Sequence, residues 1–421
     1  MRDFLPEEAH LMKFIEDKAR RVAQLYGYKE VITPVVESYE LLSAKAGEEV
    51  RSRMFVFKDL GGRDVALRPE FTASVARLVA TVLRNEAKPL RLFCVGSIYR
   101  YDEPQRGRYR EFWQSNYELI GSTKPEADAE ILLLTDSLMK GAGLLSCAFK
   151  IGHVGVLRGI FDQEGIKDDA QSRAMQLMDK KQYDDAFRVI RETGMTARGL
   201  QTLERLVQLR DKDVKGVVKE MKDCVRDYGK AVSAVENLEE ILELVSRSRT
   251  TLDVTVEAGF ARGLEYYTGM IVEVYVPDLN IALGGGGRYD RLIELFGGEP
   301  TPAVGIAHGI DRIMLGLQEQ KTALKVEEEK SVVIVPISPS LIGDALRLAQ
   351  LLRTGGVHVE VEAMRRKTSK ALEDANRKGV DFAVIVGEKE LKEDAVALRD
   401  LRKREQKAVK IEKLVETIRQ V

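Results

Sequence analysis

LRLFCVGSIYRYDEPQRGRYREFWQSNYELIG, residues 90–121, holds an apolar run, a loop dense in arginine and a segment that alternates aromatic with polar. Residues 92–100 are β-branched and aromatic enough for a strand. Pro104 and Gly107 break strands and put a loop over 102–107. The alternation over 112–120 predicts a second strand, with Phe112, Gln114, Asn116 and Glu118 on one face. Trp113, Ser115, Tyr117 and Leu119 then face the other way. A carboxylate, an amide and an aromatic beneath a loop carrying Arg106, Arg108 and Arg110 make a poor core. They make sense as the floor of a pocket for a phosphate-bearing ligand, with Arg100 pointing into the same space. On local chemistry alone, a two-sided amphipathic hairpin with solvated arginines is the other reading.

The totals bound the rest. A chain of 421 residues, 44% hydrophobic and 32% charged, is long enough for two or three domains with real cores. With 66 basic against 67 acidic side chains it is no general nucleic-acid coat, so RNA contact must come from local patches. Cys94, Cys147 and Cys224 and four histidines are too scattered for a zinc cluster or a disulfide framework. No metal site is expected, and Cys94 reads as core. No long uncharged apolar segment occurs and the start, MRDFLPEEAH, is charged, so a soluble, cytoplasmic protein with no membrane partner is expected.

The segment YRYDEPQRGRYREFWQ resembles motif 2 of the class II aminoacyl-tRNA synthetases, in the form seen in histidyl-tRNA synthetases. Other stretches extend the likeness. Residues 6–26 predict a helix, with Pro6 in its first turn, Glu7 and Glu8 at its positive end, and a stripe of Leu11, Ile15, Val22 and Tyr26. A strand over 30–36, with Pro34 at an edge or bulge, follows. Together they resemble motif 1, which implies a homodimer interface. A hairpin over 54–58 and 65–67 leads to Arg68-Pro69-Glu70-Phe71-Thr72 at the mouth of a helix. There a carboxylate and a hydroxyl can bind an ammonium or cap the helix. The segment resembles the family's Arg-Pro-Glu-x-Thr motif, which implies that Glu70 and Thr72 hold the substrate amino group; Phe71 stands where smaller residues are usual.

A helix to residue 142 and a strand over 148–153 are expected next. Residues 158–248 read as a helical insertion without catalytic-looking polar clusters; the resemblance puts it over the tRNA acceptor end, and a lid or a spacer fits equally. A strand over 252–258 leads to Ala261-Arg262-Gly263-Leu264-Glu265-Tyr266-Tyr267-Thr268-Gly269 and a strand over 270–275. An arginine beside glycine can approach a phosphate, and paired tyrosines suit a flat polar ligand. The nine residues resemble the histidyl-specific Arg-Gly-Leu-Asp-Tyr-Tyr signature, with Glu265 for Asp. A strand over 280–283 enters Gly284-Gly285-Gly286-Gly287. Residues 302–312 are expected to open a helix, with Gly305 and Gly309 on one face and Arg312 on the next turn. This resembles motif 3, with Asp311 for the usual Glu, and implies that Arg312 grips ATP.

Residues 318–330 are polar enough for a linker. Strands over 331–337, 358–362 and 382–386, with helices over 341–353 and 369–378, predict a small α/β domain with a partly parallel sheet. It resembles the class IIa anticodon-binding domain, where Arg365, Arg366, Lys367 and Lys370 would meet RNA backbone. The expected fold is therefore mixed α/β (α+β). A class II antiparallel-sheet catalytic domain at 1–317 is followed by the anticodon-binding domain at 331–421. The resemblance implies activation of L-histidine by ATP with Mg2+ and transfer to tRNA(His). Arg100 and Arg262 would be catalytic. Glu70, Thr72, Arg100, Gln114, Glu118, Arg262, Tyr266 and Tyr267 would bind histidine, and Arg100, Arg108, Phe112 and Arg312 would bind ATP. The rival is a non-catalytic regulatory subunit of ATP phosphoribosyltransferase, which typically lacks the anticodon domain and has eroded signatures.

Overall fold

The computed structural model describes residues 1–44, 47–103, 105–262, 266–277, 279, 281–322 and 330–420. The chain divides into two compact units, Met1–Ala323 and Leu324–Val421.

The first unit is built on the hairpin read above. Strands Leu90–Tyr99 and Glu111–Ile120 pair antiparallel over their whole length, Leu90 opposite Ile120 and Tyr99 opposite Glu111. The free edge of the second strand takes Ala303–Gly309, then Ala282–Arg288, Met270–Tyr275 and Ala148–His153, all antiparallel. Parallel pairing occurs only towards the margins, where Lys29–Glu30 meets Leu90–Tyr99 and Asp253–Glu257 meets Ala148–His153. The two-residue strand Arg210–Asp211 closes the nine-stranded sheet.

Three sequence expectations change here. Residues 303–309 are a strand, and the helix starts only at Ile310 (Ile310–Glu319). Gly305 and Gly309 therefore serve close approach between strands, not helix packing on a sheet. The glycine run is likewise strand, paired on both sides within Ala282–Arg288. The strand expected over 30–36 is divided: Lys29–Glu30 joins the large sheet, whereas Val36–Ser38 joins a separate three-stranded sheet with Val56–Lys58 and Asp64–Leu67. Thr33 and Pro34 lie in the break, where proline removes a ladder donor.

The alternation of the Glu111–Ile120 strand sorts its side chains to two environments. Tyr117 is fully buried, and its hydroxyl donates to Ala19 O of the Pro6–Leu25 helix at 3.0 Å. His308 sits beside it, with Nε2 3.1 Å from the Thr135 hydroxyl of helix Pro125–Ala142. Burial pushes the His308 pKa down to about 3, so this histidine is neutral core. Each fully buried aliphatic or aromatic side chain on this face contributes about 1.5–3 kcal/mol. A buried ion pair adds specificity: Arg288 Nε lies 3.1 Å from both oxygens of Asp128, fixing the strand to the start of the Pro125–Ala142 helix.

Six helices, from Val154–Gln163 to Gly229–Arg247, make up most of the insertion. Its first and last helices touch where Gly159 lacks a side chain; a Cβ there would meet the Ala231 backbone. The second unit has strand order His358–Val361, Ser331–Pro336, Phe382–Val386, Ala395–Asp400, Glu405–Lys410. The first three are parallel and the last two antiparallel. Arg366 there is engaged by Glu362 and Asp374 of its own unit. Residues 323–329 of the expected linker lie outside the described residues; Gln318 and Glu319 finish a helix.

Candidate active site

The other face of the sheet carries a cavity of about 250 Å³. Phe112, Gln114 and Asn116 rise from the Glu111–Ile120 strand, and Glu118 lies deepest, 1% exposed. Gly284, Gly285 and Gly286 form the next strip of floor, and Gly305, Ala307 and Gly309 complete it. These positions are small for steric reasons. A Cβ on Gly305 would overlap Glu118 Oε2, and one on Gly285 would overlap the Arg262 guanidinium.

One end of the cavity is lined by acceptors. Glu118 Oε1 accepts from Asn116 Nδ2 at 2.8 Å and Oε2 accepts from the Tyr289 hydroxyl. Burial pushes the Glu118 pKa up to about 7, against the pull of these donors. Glu70, from the turn before helix Thr72–Thr81, accepts from the Tyr266 hydroxyl at 3.2 Å. Burial raises its pKa too, with Arg100 opposing. Thr72 is not the helix cap; that position is Phe71, and Thr72 lines the cavity. Phe71 itself is buried beneath the Arg68 guanidinium, 4.4 Å from its ring centroid, and does not line the cavity.

The other end is crowded with cations. Arg100 donates from Nε to Pro69 O at 2.8 Å, with its guanidinium 5.6 Å from the Phe112 ring centroid. Arg262 donates from Nη1 to Val272 O at 3.1 Å and lies 3.8 Å from Glu273. Burial works against its charge, but Tyr267, Glu273 and Asp179 outweigh it and raise the pKa. Arg312 donates to Gly107 O at 3.1 Å and Ala282 O at 2.8 Å. Burial, with Arg100, Arg108 and Arg262 nearby, pushes Arg312 down to about 10. Burial is the larger cause, and the neighbouring guanidiniums add like charge that an anion would relieve.

The structure thus brings Glu70, Thr72, Arg100, Phe112, Gln114, Arg262, Tyr266, Tyr267 and Arg312 to one cavity, with Glu118 beneath it and Arg108 beside Arg312. Gly263, Leu264 and Glu265 lie outside the described residues, as does Pro104. None of the three loop arginines lines the cavity itself, though Arg108 lies near enough to act on Arg312. Arg106 pairs with Glu319 at 2.8 Å, and Arg110 stacks 3.8 Å from the Tyr101 ring centroid. Alternation along the chain could not separate them from Arg108, because the tight turn at Gly107 (φ +74°) reorients each side chain.

Three contributors escaped sequence reading. Tyr289 and Glu273 carried no local signal, since their contacts come from strand pairing. Asp179, at the end of helix Asp168–Asp179, lines the cavity from the insertion, a single acidic side chain that no polar cluster in the sequence announces. Burial pushes Cys94 up to about 12, which fits core and not nucleophile. Among the described residues no three His, Cys, Asp or Glu side chains converge to hold a metal.

Residues 1–313 match the histidyl-tRNA synthetase family model and residues 331–421 match that of the anticodon binding domain. A histidine–tRNA ligase of Methanocaldococcus jannaschii is 44% identical, covering 98% of this chain and 97% of its own. The fold is similar to the histidyl-tRNA synthetase of Nostoc sp., at 23% identity and TM-score 0.80, covering 100% of this chain and 97% of that one. It is similar also to a Bacillus halodurans protein described as an ATP phosphoribosyltransferase regulatory subunit/histidyl-tRNA synthetase. That match has 26% identity and TM-score 0.78, covering 91% of this chain and 96% of that one.

Proposed function

Because this chain belongs to the histidyl-tRNA synthetase family, we propose that its cavity activates L-histidine with ATP, forming histidyl-adenylate and pyrophosphate before transfer to tRNA(His). The chain is an enzyme that charges tRNA with histidine. The observation that carries the proposed mechanism is the polarity of the cavity: buried carboxylates at one end, three arginines at the other, with Arg108 beside Arg312. An amino acid with a hydrogen-bonding ring fits the first end and a polyphosphate the second.

At the acceptor end, Glu118 would take an imidazole N–H. Asn116 and Tyr289 occupy two of about four lone-pair directions of that carboxylate, leaving room for the ligand. Tyr266 and Tyr267 would bound the ring. The substrate ammonium would sit on Glu70, Thr72 and Gln114. Thr72 lines the cavity, where its hydroxyl oxygen can accept from the ammonium.

The reaction attacks the α-phosphorus with the histidine carboxylate, so two anions must be aligned and the charge growing on phosphate oxygens stabilised. Arg100 and Arg262 would serve both anions as catalytic residues. Arg108 and Arg312 would hold the outer phosphates, and Phe112 would stack on adenine. Mg2+ would enter as part of the substrate, on the ATP phosphates. No enzyme nucleophile is needed. Among the described residues no helix is long and apolar enough to cross a membrane. Exposed Ile32, Val36, Val56 and Phe57 around the three-stranded sheet support assembly as a homodimer, which sedimentation would test.

ATP–pyrophosphate exchange, screened across the standard amino acids without tRNA, tests this reading. Exchange with histidine alone supports it. Exchange with another amino acid refutes the imidazole pocket, and a folded, histidine-binding protein without exchange behaves as a regulatory subunit. The anticodon-domain match and the three cavity arginines disfavour that last outcome.

A further inference from the structure

We propose that Arg2 is a positioning residue for ATP: it clamps the arginine loop to the helix that carries Arg312. This rests on the assignment of Arg108 and Arg312 to the phosphates. The Arg2 guanidinium lies 3.9 Å from the Tyr109 ring centroid and 4.4 Å from that of Phe4, so two aromatic faces hold it. Its Nη2 donates to Asp311 Oδ1 at 2.8 Å. The other oxygen of Asp311 accepts from Trp113 N at 2.7 Å, at the start of the strand that floors the cavity. Phe4 in turn packs edge-on against Trp113, with centroids 5.4 Å apart.

Tyr109 and Asp311 are the immediate chain neighbours of Arg108 and Arg312. One guanidinium therefore ties together the two backbone segments whose separation sets the gap between those two cations. Asp311 is 2% exposed and Arg2 26%, so water competes little for this contact. Arg106–Glu319, at the far end of the same helix, is the exposed counterpart, at 62% and 38%. The shorter Asp at 311, where Glu is usual in the motif, is spanned between Arg2 and the Trp113 amide. Without Arg2 its buried charge loses its cation, and the first helical turn must shift or the aspartate take a proton. Lysine keeps the charge but not the planar stack on Tyr109.

The test is histidine-dependent ATP–pyrophosphate exchange with the full chain, titrating ATP at saturating histidine and histidine at saturating ATP. Arg2→Ala is expected to raise the KM for ATP about tenfold, the scale of one charge-assisted contact. The KM for histidine should stay within about twofold, Arg2→Lys should fall between, and Arg106→Ala should match the parent. An unchanged KM for ATP, or equal rises in both constants, overturns the proposal. If Arg2→Ala does not fold, Tyr109→Leu removes only the stacking face, and the same selective rise is expected; its absence is equally fatal. Arg312→Ala separates this from the reading beneath it. A raised KM for ATP there but not in Arg2→Ala refutes Arg2 alone, whereas no rise in Arg312→Ala refutes the phosphate assignment and the proposal together.

Discussion

Replacing Glu118 with Gln should make the protein more stable and less active, and the stability gain should depend on pH. Burial carries the Glu118 pKa from 4.5 to about 7. The folded state therefore holds this proton more tightly than the unfolded chain. Its favourable contribution is complete below pH 4.5 and is lost as pH rises through 7. The difference of about 2.5 pKa units corresponds to roughly 3 kcal/mol above pH 7. Glutamine has no charge to desolvate. Its carbonyl can still accept from Asn116, while the Tyr289 hydroxyl rotates to accept from its amide. Glu118→Gln should thus melt as the parent does near pH 4.5 and about 4 °C higher at pH 8, given the entropy of unfolding a unit of some 320 residues. Histidine-dependent exchange should fall at least about 30-fold, the loss of one charge-assisted contact of roughly 2 kcal/mol. Melting curves from pH 4.5 to 8.5, paired with exchange assays, check both. A variant that melts lower at pH 8, or whose melting difference is flat across that range, refutes the buried-carboxylate argument.

Three more outcomes follow from the geometry. Gly305→Ala should raise the KM for histidine and cost roughly 1–3 kcal/mol, since its Cβ collides with Glu118 and with Tyr117 O; exchange kinetics and urea unfolding measure the two effects. Phe112→Ala should raise the KM for ATP about fivefold through loss of roughly 1 kcal/mol of stacking, leaving histidine binding alone. Arg288→Ala strands the fully buried Asp128 and should destabilise the first unit by about 3–5 kcal/mol; adding Asp128→Ala should recover part of it in denaturant titrations.

Much of the site was legible because its signals were local. Pro104 and Gly107 punctuated the hairpin, and the two-residue period placed Gln114 and Glu118 on one face. What failed was decided by distant pairing. Residues 303–309 set Ala303, Gly305, Ala307 and Gly309 on one face and Val304, Ile306 and His308 on the other, so no apolar–polar alternation marks them as strand. Only the ladders to Glu111–Ile120 and Ala282–Arg288 do. Tyr289 meets Glu118 across 171 positions of chain, and Asp179 arrives from an insertion whose own pattern describes helices alone. Phe71 misleads for the opposite reason: its bulk stands in a motif beside the ligand, yet packing turns the ring under Arg68.

The glycine strand also foretells how this sequence can drift. A Cβ at Gly284 would strike His308, at Gly285 Arg262, at Gly286 the Gly305 carbonyl, and at Gly287 the Met270 carbonyl. A saturation library read out by growth or charging should therefore show a band of near-total loss across four adjacent codons that encode no functional group. The sharpest constraint in the catalytic unit would fall on residues whose whole contribution is the space they leave empty.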